Sequence, residues 1–174
     1  MRHSFDNITP YLNLVYGGGS LWAGDEQGIV RIDSETSAVT RVGGIIGNCG
    51  GGGGGCVAAG GGFGWTSDAF KGPIYKVDQA GRLAEPIRTG IGAGFMSCAD
   101  SVLWVGNRDE GTVTGIDTVT GRKTATYRFG HPVGPIAVGN RDLLVSLDQG
   151  PTLEDRIRSL AGTVATSFAH ANEL

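Results

Sequence analysis

The residues of this chain with the most chemical potential sit in short turns that recur. Asp25, Asp68 and Asn107 each follow a tryptophan-bearing apolar stretch on an equivalent turn. Asn107-Arg108-Asp109-Glu110 is the most polar of these turns. Carboxylates, an amide and a guanidinium gathered on one rim could hold a small ligand or a partner's polar groups. His131, in Gly130-His131-Pro132-Val133-Gly134-Pro135, adds a titratable imidazole that could ligate a metal or move a proton. Asp25, Asp68, Asn107, Arg108, Asp109 and His131 are therefore the candidate ligand rim. Each also has a plainer reading as a solvated turn residue. No Ser-His-Asp set stands out, and no second histidine recurs in another repeat to complete a metal site with His131.

A second set of carboxylates, Asp33, Asp78 and Asp117, closes a strand-like stretch in each repeat. They could form a ring of negative charge. Recurrence in register favours a structural role instead, with each side chain capping its turn through backbone amides. The glycine run between Cys49 and Cys56 contains chance matches to phosphate-loop patterns. No Lys-Ser/Thr and no helical pattern follow it, so nucleotide binding is not expected. A mobile loop is. Cys49, Cys56 and Cys98 lack the spacing of a zinc site. They read as reduced thiols, with a Cys49–Cys56 disulfide across the glycine loop as the alternative.

The elements that would position these residues are clearest from Ser101 to Gly130. Val102–Val105 is an apolar run with β-propensity, followed by the polar turn Gly106–Gly111. Thr112–Asp117 is β-branched at alternate positions, and Thr118–Gly121 makes a second turn. Lys123–Phe129 then alternates between two faces. The result is an antiparallel meander. Leu21–Asp33 repeats the pattern, and so do Gly64–Asp68 with Gly72–Asp78. A fourth copy opens at Ile136–Gly139 and Leu143–Leu147, with Val145 at the tryptophan position. Trp22, Trp65 and Trp104 recur at a period near 40, the signature of β-propeller blades. The opening strands are expected at Tyr11–Tyr16 and Val57–Ala59, and the outer ones at Ala38–Val42 and Arg82–Arg88.

The pattern of apolar-Trp-Val/Ala, polar turn, apolar-Asp, Thr-Gly and alternating strand resembles the YVTN/NHL-like propeller repeats. Streptogramin-lyase-like and lactonase-like propellers carry related repeats. The resemblance covers roughly Gly17–Leu147. It implies an all-β, partial β-propeller of about three to four four-stranded antiparallel blades, and says little about activity. Streptogramin-lyase-like enzymes use His and Glu around a divalent metal, of which only His131 has a counterpart here. The segment GPTLEDRIRSLAG resembles a linker that precedes solute-binding domains in bacterial multidomain chains.

The chain divides into blades over 1–147 and a C-terminal part over 148–174. The latter holds a turn, a short helix capped by Thr152 with Leu153, Ile157 and Leu160 on one face, and a strand or linker. The formal net charge of -3 and pI near 5.5 argue against a general nucleic-acid surface. No apolar run approaches the roughly 20 residues of a membrane span. No signal peptide is recognised, so cytoplasmic residence is the default, void if the chain is part of a longer protein. The functional expectation is a non-enzymatic binding or interaction module without a cofactor, taking a protein or small-molecule ligand as part of a larger bacterial sensor, regulatory or solute-binding protein. The alternative is a metal-dependent lyase or lactonase-like enzyme. An arc of so few blades leaves two open ends. Covalent neighbour domains are the expected cover, ahead of a homodimer or a small closed ring.

Overall fold

The structure, a computed structural model, describes residues 14–25, 28–43, 57–67, 72–99, 101–139 and 142–148. Within them the chain is all-β and forms four antiparallel sheets in sequence order, a partial β-propeller. The first sheet holds β1 (Leu14–Gly17), β2 (Ser20–Asp25), β3 (Gly28–Asp33) and β4 (Val39–Gly43). The second holds β5 (Val57–Gly60), β6 (Phe63–Ser67) and β7 (Ile74–Val77). The third holds β8 (Ala93–Ala99), β9 (Val102–Asn107), β10 (Thr112–Asp117) and β11 (Lys123–Arg128). The fourth holds β12 (Val133–Val138) and β13 (Leu143–Leu147). Every strand pairs with its sequence neighbour, as a meander requires. Gly18-Gly19 and Gly61-Gly62 all take positive φ and close equivalent two-residue hairpins, a turn whose twist suits the flanking strands.

The tryptophans mark one register. Trp22 pairs with Arg31, Trp65 with Lys76 and Trp104 with Gly115, always between the second and third strands of a sheet. Each points to the following sheet. Trp22 lies flat over Gly64 of β6, where any Cβ would collide with the indole. Trp65 is buried among Met96, Leu103 and Ile116 of the third sheet. Trp104 is only half-buried and stacks on Tyr127 of its own sheet, ring centroids 5.7 Å apart. The core is therefore a series of seams. One joins Trp22, Ile29, Val42, Val57 and Val77, and the next is built around Trp65.

Polar side chains bridge the same seams. Gln79 Nε2 donates to Gly18 O at 3.0 Å and Gly62 O at 2.8 Å. Its Oε1 accepts from Ser20 Oγ at 3.1 Å and Arg31 Nε at 2.6 Å. Lys76 Nζ crosses to the third sheet and donates to Thr118 O at 2.6 Å and Val119 O at 3.0 Å. It lies 3.7 Å from the centroid of the Phe63 ring. Burial pulls its pKa below the usual lysine value, against the opposing pull of the Asp117 carboxylate.

Two expectations need correction. The tryptophan position of the fourth sheet is taken by Leu144, not Val145. Val133, which pairs with Leu147, packs against Gly106 of β9. Leu143, Val145 and Leu147 therefore face the third sheet, and Leu144 faces away from it. The second sheet also lacks a continuous outer strand over Arg82–Arg88. Only isolated bridges join Ile74 to Ile87 and Val77 to Leu83. Pro86, which has no amide donor, sits inside that stretch. The expected C-terminal helix after Thr152, the glycine run with Cys49 and Cys56, and residues 11–13 lie outside the described residues.

Candidate functional site

The recurrent aspartates are turn caps. Asp33 Oδ1 accepts from the amides of Glu35 at 3.1 Å and Thr36 at 2.9 Å, and from the Thr36 hydroxyl at 2.9 Å. Asp117 Oδ1 repeats this with Val119 N at 3.1 Å, Thr120 N at 2.7 Å and Thr120 Oγ1 at 2.8 Å. Asp78, in a shorter turn, accepts from Ala80 N and Arg82 N, both at 2.9 Å. Each carboxylate is thus committed to local donors.

These bonds favour the charged form. The Thr36 amide, then its hydroxyl and the Glu35 amide, bring Asp33 from 3.8 down to about 2. Asp117 is lowered chiefly by the Thr120 amide and Asp78 chiefly by the Arg82 amide. A carboxylate whose folded pKa lies below its unfolded value contributes stability above the unfolded pKa, and that contribution disappears as pH falls through the folded one. The Tm of this chain should therefore decline between pH 4 and pH 2. Asp33→Asn should lower the Tm at pH 7 and flatten the decline, as read by circular dichroism melts across that range. A variant whose melts retain the full acid dependence would show that Asp33 does not carry it.

The rim turn has two layers. Asn107, the last residue of β9, is completely buried. Its Oδ1 accepts from Thr89 Oγ1 at 2.7 Å, and its Nδ2 donates to Thr112 Oγ1 and Thr114 Oγ1, each at 3.0 Å. Thr89 follows the outer edge of the second sheet, so the amide ties that segment to the third. Arg108, Asp109 and Glu110 above it are exposed. Arg108 N donates to Gly92 O at 3.0 Å, and its guanidinium lies 3.7 Å from the Asp148 carboxylate. Glu110 Oε2 accepts from Ile91 N at 3.2 Å, and its Oε1 lies 4.0 Å from Arg128. Asp109 lies against Gly92.

His131 is half-buried, and its carbonyl lies against Gly111 at the end of the same turn. The structure thus brings Asn107, Arg108, Asp109 and His131 to one corner of the third sheet. Asp25 ends β2 opposite Gly28, at the strand position that Asn107 holds in β9. Asp68 lies outside the described residues. Among the described residues no group of three His, Cys, Asp or Glu side chains is arranged to hold a metal ion. Cys98, half-buried, packs at the seam of the second and third sheets and lies against Gly60.

Sequence reasoning missed a neighbouring feature. A cavity of about 300 Å³ opens beside Thr89, lined by Gly72, Arg88, Thr89, Gly90, Ile91 and Lys123. A second, of about 240 Å³, lies by Phe63 and Lys76. The first joins the outer segment of the second sheet to Lys123 of the third, and the second lies within the second sheet between its strands and Asp78–Ala84.

No family model matches the sequence, and no curated protein sequence matches it. Solved structures do share the fold. The chain superposes on Kuenenia stuttgartiensis hydrazine synthase with a TM-score of 0.64 at 15% identity, over 85% of this chain and 44% of that one. It superposes on the computationally designed Ika4 protein with a TM-score of 0.61 at 14% identity, over 84% and 91% of the two chains. For streptogramin B lyase the TM-score is 0.60 at 16% identity, over 83% and 51%. The chain spans about half the length of the hydrazine synthase and streptogramin B lyase chains. At these identities the likeness is one of fold.

Proposed function

We propose that this chain is a non-enzymatic β-propeller module, built of YVTN/NHL-like repeats, that presents the corner around Arg108–Glu110 to a protein or small-molecule ligand. It needs no cofactor, and it serves as part of a larger bacterial sensor, regulatory or solute-binding protein. One observation carries the reading. The recurrent carboxylates Asp33, Asp78 and Asp117 and the Asn107 amide are committed to structural bonds, while Arg108 and Asp109 stand exposed beside His131. Such a surface can recognise polar groups. It does not assemble a nucleophile, base and charge stabiliser around one reacting atom. Asp25 and Asp68, at the corresponding turns of the first two repeats, would extend the same rim.

Ligand-observed and amide-resolved NMR against a library of polar metabolites and peptides tests the proposal. Shifts are expected at residues 107–110 and 131, and they should vanish in the Arg108→Ala/Asp109→Ala variant. The competing reading is a metal-dependent lyase or lactonase, which the fold shared with streptogramin B lyase brings into view. Divalent-cation-dependent opening of a lactone or a cyclic depsipeptide ester, lost in His131→Ala, would establish that reading and overturn ours.

A further inference from the structure

The cavity of about 300 Å³ beside Thr89 belongs neither to the turn caps nor to the Arg108–Glu110 corner. Its two ionisable lining residues, Arg88 and Lys123, are both cationic. They come from different sheets, and each is placed by its own element. Ile87 and Ile74 exchange two backbone bonds of 2.9 Å, which sets Arg88, the next residue, beside Gly72 and Pro73. Lys123 opens β11. The pairing of β10 with β11 slips by one residue between Gly115 and Ile116, so Lys123 stands opposite Ile116 where an unbroken ladder would put Thr124. Such a bulge re-aims a side chain. Lys123 Nζ reaches Thr89 O at 3.4 Å, a long bond that uses one of its three donors. The ammonium thus ends against the residue next to Arg88.

Two like charges on one cavity repel unless an anion joins them. No carboxylate does so among the described residues. Arg88 has no ion pair or hydrogen bond there, and Lys123 has only the Thr89 carbonyl. Glu110 lies against Gly90, but its carboxylate is committed to Ile91 N and Arg128. The remaining wall suits a compact anion. Thr89 is buried and its hydroxyl is taken by Asn107, so that part of the wall is fixed. Gly72 and Gly90 add no side chains, and a Cβ on Gly72 would meet nothing within 4 Å, so access on that side is open.

We infer that this cavity binds a phosphate head, as inorganic phosphate or a small phosphate monoester, between the Arg88 guanidinium and the Lys123 ammonium. A phosphate monoester carries about −1.5 to −2 charges near pH 7, so one head satisfies both cations. The guanidinium fork matches two of its oxygens, and the ammonium adds a point charge. A monocarboxylate brings a single charge and leaves one cation unmatched. The volume lies at the lower end for small-ligand sites, which restricts the ester to a small one. This site is separate from the Arg108–Glu110 corner and does not rest on the reading of that corner.

Amide-resolved NMR titration of the 174-residue chain with inorganic phosphate, glycerol 1-phosphate and acetate tests the inference. Low salt is used, because exposed charges are screened beyond about 10 Å at about 0.1 M. Saturable shifts are expected at Gly72, Arg88–Ile91 and Lys123, with a Kd on the order of 1 mM for phosphate and about tenfold weaker for acetate. Tighter binding of the ester would name an ester as the ligand, and tighter binding of the free ion would name phosphate itself; either supports the site. Arg88→Gln and Lys123→Gln should each weaken phosphate about fivefold or more, and the pair should abolish saturation. Lys123→Arg keeps the charge and should keep the binding. Arg122→Gln removes an equal charge outside the cavity lining and should change the Kd by less than about twofold. Glu110→Gln keeps an acceptor for Ile91 N and removes a repelling charge, so it should tighten phosphate about twofold. Arg88 and Lys123 are exposed, so these variants should fold with the Tm of the unmodified chain. Should one not, the map of shifts on the unmodified chain decides. Shifts confined to residues 107–110 and 131 would support the corner and overturn the cavity. An absence of saturation, saturation that survives the double substitution, or acetate binding as tightly as phosphate would overturn it as well.

Discussion

Replacing Trp65 by alanine is expected to lower the stability of this chain by about 3–5 kcal/mol. The indole is completely buried and touches both sheets of its seam, among Ala58, Ile74, Ala93, Met96 and Leu103. Its Nε1 donates to Gly60 O at 3.3 Å, so truncation also leaves that carbonyl short of a donor. Lys76 Nζ lies 5.5 Å from the ring centroid and would lose part of its aromatic wall. Collapse cannot refill the space cheaply, because the strands on either side are held in their own ladders. Trp104→Ala is the internal comparison. Trp104 is half-buried and stacks on Tyr127, so its truncation should cost about half as much or less. Urea unfolding followed by circular dichroism measures both. Equal losses at the two positions would show that the seam between the second and third sheets is not the stronger one.

The difference between these tryptophans explains what the sequence could and could not disclose. The period of the aromatic residues is a local signal, because each sits mid-strand with a polar turn a few residues on. That was enough to predict the order of the strands and the equivalence of Trp22, Trp65 and Trp104. The aspartate caps were legible for the same reason. Asp33 and Asp117 each find their donors within the next three residues. The fourth repeat has no tryptophan. Its run Leu143-Leu144-Val145 is apolar at successive positions, so nothing in it distinguishes one face from the other. A shift of one residue in such a strand exchanges its faces. The burial of Val133 against Gly106 decides the matter, and that contact is tertiary.

The candidate site was legible to a similar depth. The polarity of Asn107–Glu110 singled out one corner of the third sheet, and the chain brings His131 to that corner too. Polarity alone could not separate the buried amide from the exposed charges above it. The partner that buries Asn107 on one side, Thr89, lies 18 residues away in the segment that follows the second sheet. The seam bridges were harder still. Gln79 reads as an ordinary turn residue, yet one of its acceptors is 61 residues distant. Lys76 belongs to the repeat stretch Gly72–Asp78 with nothing to set it apart, yet its Nζ is held by carbonyls 42 and 43 residues on. A side chain that acts across a seam leaves no mark in its own repeat.

Asn107→Leu should cost about 3 kcal/mol, and the loss should appear in stability before it appears in recognition. The amide fills three hydrogen bonds at once, from Thr89 Oγ1 and to Thr112 Oγ1 and Thr114 Oγ1. Leucine of similar size removes all three and strands buried hydroxyls from two sheets. The threonines can turn toward nearby carbonyls, which keeps the penalty below the sum of three separate losses. Apolar replacement of the partners is the decisive control. In an Asn107→Leu background, adding Thr89→Val and Thr114→Val should recover part of the lost stability, because the hydroxyls left unpaired are then gone. In the wild-type background the same valines should destabilise. That change of sign is the signature of a closed polar network, and a thermodynamic cycle built from urea unfolding midpoints reads it directly. A network that anchors the outer segment of the second sheet also sets the height of Arg108–Glu110 above it. Ligand shifts at that turn should therefore weaken in Asn107→Leu and return with the valine substitutions. Loss of ligand shifts with unfolding midpoints unchanged would instead make Asn107 a direct contact, and would require the turn to open inward.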